Sequence, residues 1–157
     1  MRRQDRAVTA QKEILDILDD CKVIRIGLCA ENKPYIVPMN FAYQVDGEQI
    51  YIYLHCASEG KKLDMIAQNN NICFEADCSC KIIEGADACS WTAKYQSVMG
   101  EGQIAIISEQ SEKNSALDLL MERYGFSGKP SYNSNALSSV TALKIAVKTI
   151  TGKTNIV

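Results

Sequence analysis

The segment Ser58-Glu59-Gly60-Lys61-Lys62 sets two ammonium groups at the start of a stretch whose apolar residues, Leu63, Ile66 and Ala67, recur at helical spacing. Lysines in a first turn oppose the helix dipole, which already carries about half a positive charge there. The arrangement suits an anion held by backbone N–H groups, the Ser58 hydroxyl, Lys61 and Lys62. The alternative leaves both lysines in water, at a cost of only ~0.3–1 kcal/mol. His55 is the one histidine, three residues ahead of that segment at the end of an alternating strand. Its place next to an anion cradle favours a ligand-orienting contact over an acid–base role; the competing reading is a satisfied, half-buried imidazole. Pro38-Met39-Asn40 lies inside a strand pattern, and proline cannot donate to a ladder, so Pro38 marks an edge or an opening. Gly100-Glu101-Gly102 lacks the third glycine and the strand–turn–helix setting of a dinucleotide fingerprint. One histidine and scattered acids assemble no nucleophile–histidine–acid triad.

The elements that must position these residues follow from the apolar period. Thr9 is placed to cap a first helix with Ile14, Ile17 and Leu18 on one stripe, although Asp19 and Asp20 end it with the wrong charge. Ile24, Ile26 and Leu28 then alternate as a strand, and Glu31-Asn32-Lys33 turns the chain. PYIVPMNFAYQV reads as one strand with Tyr35, Val37, Met39, Phe41, Tyr43 and Val45 on one face. Asp46-Gly47 is a hairpin signal that returns the chain into a strand carrying Ile50, Ile52 and Leu54, completing a three-strand meander. A helix over about 58–68, strands at NICFEAD and about 94–107, and a helix capped by Ser108 or Ser111 follow. That helix carries Ala116, Leu117, Leu120, Met121 and Tyr124 and ends at Gly125. The stretch SGKPSYNSNALSS reads as a loop, and a last strand over about 140–150 brings the count to six or seven. The paired glycines 100 and 102 inside a strand suggest a bulge or a close backbone approach. A mostly antiparallel sheet closes its edges most simply as a barrel, so the predicted fold is mainly β: one β-barrel domain over residues 1–157 with three flanking helices.

Composition narrows the function. Seventeen Lys and Arg against nineteen Asp and Glu give a net charge of −2, which argues against a general nucleic-acid binder. No apolar run approaches the ~20 residues needed to cross a bilayer, and the N-terminus has no signal-type apolar core, so the expected setting is cytoplasmic, with no membrane partner. Seven cysteines form an odd set with only Cys78-Ser79-Cys80 near a zinc spacing, and they read as core thiols rather than disulfides or metal ligands.

MRRQDRAVT, RIGL, PYIVPMNFAY, IYIYLH, SEGKKLDMI, CFEAD, KYQSVMGEG and ITGKT, in this order over nearly the whole chain, resemble the Nim-type nitroimidazole-resistance proteins. These belong to the pyridoxamine-phosphate-oxidase-like superfamily of flavin-binding split barrels. The resemblance implies a six-stranded split β-barrel, a homodimer, and one flavin, FMN or alternatively FAD, in each of two clefts between subunits. It assigns the flavin phosphate to Lys61 and Lys62 with Ser58 nearby. It places the strand Val37, Pro38, Met39, Asn40 and Phe41 along the isoalloxazine ring, and His55 beside the cofactor. Tyr95, Gln96, Ser97 and Val98 would add a wall from the partner subunit. Relatives often carry arginine where this chain has Gln96, and losing that guanidinium removes a bidentate anion partner. The implied activity is flavin-dependent reduction of a small nitroaromatic to the amine. A flavin-storing protein without turnover, and a haem binder with His55 as axial ligand, are the alternatives.

Overall fold

The computed structural model describes residues 3–155, so the outermost two residues at each end of the predicted domain lie outside the described part. A 3-10 turn (Gln4–Arg6) and the short strand β1 (Ala7–Val8) lead into helix α1 (Gln11–Asp20). Two hairpins follow, β2 (Ile24–Ala30) with β3 (Lys33–Met39), and β4 (Phe41–Asp46) with β5 (Gln49–Ala57). Helix α2 (Lys61–Gln68) precedes a long hairpin of β6 (Asn71–Ile83) and β7 (Thr92–Ile106). Helices α3 (Gln110–Arg123) and α4 (Ser134–Ser138) lead to β8 (Val140–Asn155). Every strand pair is antiparallel, in the order β3-β2-β6-β7-β8-β5-β4, with β1 added to β8. No described helix is long and apolar enough to cross a membrane.

The two ends of this path, β3 and β4, are consecutive in the chain and separated only by Asn40. The sheet therefore bends round on itself, and the barrel is split where the backbone passes Asn40. This corrects the single strand read through PYIVPMNFAYQV and the meander built on it. The apolar alternation runs on across Asn40 because both halves face one core, while the hydrogen-bond partner changes from β2 to β5. Only β2 pairs with β3, which is where Pro34 and Pro38 cost the ladder least. Val45, at the far end of β4, is exposed rather than buried.

Inward positions of the strands pack Ile24, Ile26, Phe41, Ile52, Leu54, Phe74, Val98, Ile104, Leu143 and Ile145 into one core. Helix α1 joins it through Ile14, Ile17 and Leu18. Thr9 does not cap this helix, whose N-cap is Ala10 with no side-chain bond. Its acidic C-terminus is instead met by Arg123 of α3, which donates to the Leu18 and Cys21 carbonyls (3.0 Å to the latter) and to Asp19 (3.2 Å). The β4–β5 turn consists of Gly47 and Glu48, one step later than the Asp46-Gly47 signal, and only Gly47 has positive φ, at 60°. Glu109, not Ser108 or Ser111, caps α3 by accepting from the Ser111 N–H, and Met121 and Tyr124 lie exposed on that helix. The stretch read as a loop contains α4. Strands number eight among the described residues once β1 is included. The glycines of β7 answer to the predicted close approach: a Cβ on Gly100 would stand 2.3 Å from the Phe74 ring and 2.5 Å from the Thr149 carbonyl. The β7–β8 register shifts between Glu101 and Gly102.

Candidate functional site

At the split, β5 runs past the start of β4. Phe41 pairs with Leu54, so the next step of that register sets Asn40 opposite His55. The Ser58 N–H donates to the Ser139 carbonyl at 3.1 Å and fixes the link from β5 to α2. Gly60 then turns the chain with φ of 133°, a backbone conformation that favours glycine, and α2 begins at Lys61 rather than Ser58. No side chain caps this helix, Ser58 included; the Leu63 N–H donates to the Gly60 carbonyl at 2.8 Å, and the N–H groups of Lys61 and Lys62 before it have no partner within the helix. Met65 and Ile66 anchor α2 in the core, while Ala67, expected on the apolar face, is exposed.

The first-turn lysines point to different neighbours. The Lys61 ammonium lies 4.4 Å from the centre of the Tyr35 ring, which brings the start of α2 against β3. Lys62 stands near Cys56, where its charge partly opposes the burial that pushes this thiol's pKa up. Among the described residues neither lysine forms an ion pair. Two unpaired cations at an uncapped helix start, beside an edge strand, form an anion-seeking corner.

Of the other residues singled out, Pro38, Asn40, His55 and Ser58 are exposed and Val37 is half-buried. Met39 and Phe41 point into the core. Phe41 is committed further: its N–H donates to the Tyr124 hydroxyl (3.1 Å), and its ring lies 4.4 Å from the Arg123 guanidinium. It lines no ligand surface, because its side chain and amide serve the packing of α3. His55 shares the outer face of β5 with Tyr51 and Tyr53, and Tyr53 packs beneath α3.

Tyr95, Gln96, Ser97 and Val98 do not join this corner within one chain. Val98 pairs with Gly152 of β8 and His55 with Ala142, ten residues away along the same strand. At about 3.3 Å per residue this is roughly 33 Å of strand. Alternation also places Tyr95 and Ser97 on the outer face and Gln96 and Val98 on the inner one. Val98 is fully buried, so only its backbone can face a ligand.

Tyr95 has company that the sequence did not single out. The Lys153 ammonium is 5.3 Å from its ring centre, and Lys153 and Arg6 both bond toward its hydroxyl and hold its pKa below the ordinary phenol value. Only the recurrence of basic residues in MRRQDR and ITGKT could have drawn attention to them. The cysteines are all free, but only Cys21 is fully buried; Cys56 and Cys78 are half-buried, and Cys29, Cys73, Cys80 and Cys89 are exposed. The core-thiol reading fails for those four because Cys29 and Cys73 occupy outward strand positions and Cys80 and Cys89 lie toward the tip of the β6–β7 hairpin. Among the described residues no group of three or more His, Cys, Asp or Glu could hold a metal ion. A cavity of about 410 Å³ lies instead between α1 and α3, lined by Asp19, Lys22, Tyr43 and Arg123 among others, and contains none of the site residues expected from the sequence.

The sequence profile of the family described as pyridoxamine 5'-phosphate oxidase matches residues 10–154. No curated protein sequence matches. Among solved structures, a candidate 5-nitroimidazole antibiotic resistance protein from Bacteroides thetaiotaomicron is 32% identical, with a TM-score of 0.80 over 94% of this chain and 85% of that one. The flavocytochrome Anf3 from Azotobacter vinelandii shares the fold with a TM-score of 0.82 at 16% identity, over 100% of this chain and 72% of its own. An FAD and haem binding protein from Mycobacterium smegmatis does so at 0.82 and 17% identity, over 96% of this chain and 73% of its own.

Proposed function

From the chain's membership of the pyridoxamine 5'-phosphate oxidase family, we propose that it is a flavin-dependent reductase of small nitroaromatic compounds that binds FMN between two copies of itself. The observation that carries this reading is the unpaired Lys61 and Lys62 at the uncapped start of α2. That corner fits a phosphate, which accepts helix N–H bonds and two charges at once. Val37, Pro38, Asn40 and His55 border the space beside it, and Tyr95 to Val98 reach a common cleft only from a second copy. The 32% identity to the candidate nitroimidazole-resistance protein supports the substrate class.

Bound flavin supplies hydride and electron transfer. The chain's own part is to hold the phosphate, to direct the ring along the edge of β3 through the backbone near Met39 and Asn40, and to orient substrate with His55. No side chain here needs to act as a nucleophile.

Titrating the flavin-free protein with FMN, followed by anaerobic reduction of a 5-nitroimidazole, tests this. A Lys61→Gln/Lys62→Gln variant is expected to lose at least ten-fold in FMN affinity while keeping its melting temperature. His55→Ala is expected to raise KM for the nitro compound. Unchanged FMN affinity in the lysine variant would remove the phosphate site, and an unchanged KM with unchanged turnover would remove His55. The neighbours that bind haem as well as flavin, and the exposed imidazole of His55, favour one second reading: haem on the same barrel, revealed by a Soret band.

A further inference from the structure

We propose that Arg6, Lys153 and the Tyr95 hydroxyl form a second phosphate-binding site, which takes a phosphate that a dinucleotide has and FMN lacks. Three observations build it. First, the two ends of the chain are laid together for it: β1 adds to β8 with Ala7 opposite Lys153, and Ser97 of β7 lies opposite Lys153 on the other side. Two residues of pairing hold the N-terminal segment across the sheet and bring Arg6 to Tyr95.

Second, the cations have too few acids. Among the described residues the carboxylate paired with this group is Asp5, and it is engaged by Arg3 through two bonds of 2.8 and 2.6 Å. Arg6 approaches it only at 4.0 Å, and Lys153 makes no ion pair among the described residues. Two positive groups converge on the Tyr95 hydroxyl and hold its pKa down, so their mutual repulsion is relieved by an anion placed between them. Third, the donors match the ligand. A guanidinium, an ammonium and a hydroxyl suit a multiply charged oxyanion better than a single carboxylate.

The inference rests on the flavin reading, because Tyr95 belongs to the same proposed cleft. Lys61 and Lys62 account for one phosphate, the only one FMN has. A second phosphate is brought either by FAD as the cofactor or by a nicotinamide dinucleotide as the electron donor. Both present a pyrophosphate, and the test separates them.

Flavin-free wild type, Arg6→Gln/Lys153→Gln, Tyr95→Phe and the charge-keeping Lys153→Arg are titrated with FMN and with FAD, and the FMN-loaded forms with NADPH. A ten-fold or greater fall in the FAD-to-FMN affinity ratio of the double variant, retained in Lys153→Arg, assigns the site to the cofactor. A comparable loss for NADPH at an unchanged flavin ratio assigns it to the donor. Tyr95→Phe, which deletes one hydroxyl and keeps the ring, moves the same quantity in the same direction and guards against misfolding of the double variant. An unchanged flavin ratio, with NADPH binding also unchanged or undetectable, overturns the second site. Wild type that binds neither FMN nor FAD overturns the flavin reading, and this one with it.

Discussion

Cys21 shows how one side chain couples packing to pH. It ends α1 with its N–H on the Ile17 carbonyl (3.2 Å), and Cys78 donates its thiol to the same oxygen at 3.9 Å. Burial, then the neighbouring Cys78, pushes the Cys21 pKa from 9.0 up to about 12. Tyr43, partly buried and donating to Asp19 at 2.8 Å, is raised from 10.0 to about 12. Both groups keep in the folded state a proton that the unfolded chain has already released above pH 9 to 10. Their contribution is complete below that range and is lost as the pH rises toward about 12. The urea midpoint is therefore expected to fall from about pH 9 upward, and less steeply in Cys21→Ala. A midpoint that stays level from pH 8 to 11 in wild type would contradict this. At this scale the sequence was most legible where chemistry is local: Lys61, Lys62 and His55 stand out by type and spacing alone. Arg6 and Lys153 did not, since only the β1–β8 register makes neighbours of residues at opposite ends of the chain.

Among the elements, α1 depends on a residue far away in sequence. Asp19 and Asp20 oppose its dipole, and its last turn holds no basic residue. Arg123 supplies the missing charge from the end of α3, with only 12% of its side chain exposed, and stacks on Phe41 at 4.4 Å and Tyr43 at 5.6 Å. Replacing it with methionine fills part of the space but leaves two carbonyls without this donor. The expected loss is about 2–4 kcal/mol in urea denaturation. A loss below about 1 kcal/mol would show that α1 ends unaided. Helices α1 to α3 and the inward strand positions were readable because apolar period reports the buried face, whereas α4, with no buried residue, carries no such signal. The break at Asn40 was not, because Met39 and Phe41 keep the alternation while the chain moves to the opposite end of the sheet path. Pro38 was the one local sign of an edge there.

For the molecule as a whole, α3 covers β4 and β5, while the outer face of β3, β2, β6 and β7 turns a row of side chains away from the core. Ile36 and Met99 are 69% and 60% exposed on that face, around the Arg25 ion pairs with Glu75 and Asp77. Apolar groups with a charged centre suit a second copy, which would also bring Tyr95 to the corner of its neighbour. Light scattering on the flavin-loaded protein is expected to give twice the 17.4 kDa chain mass; a monomer at micromolar concentration would leave each corner without its second wall. Every role assigned to Lys61, Lys62 and His55 depends on bound flavin. The most direct test of that binding is the absorption spectrum of the purified protein, reconstituted with FMN if colourless, followed by denaturation and chromatography of what is released. The expected result is the two-banded spectrum of oxidised flavin, with free FMN or FAD in the supernatant. A protein that stays colourless after FMN is added, or that shows a Soret band and no flavin, would contradict it.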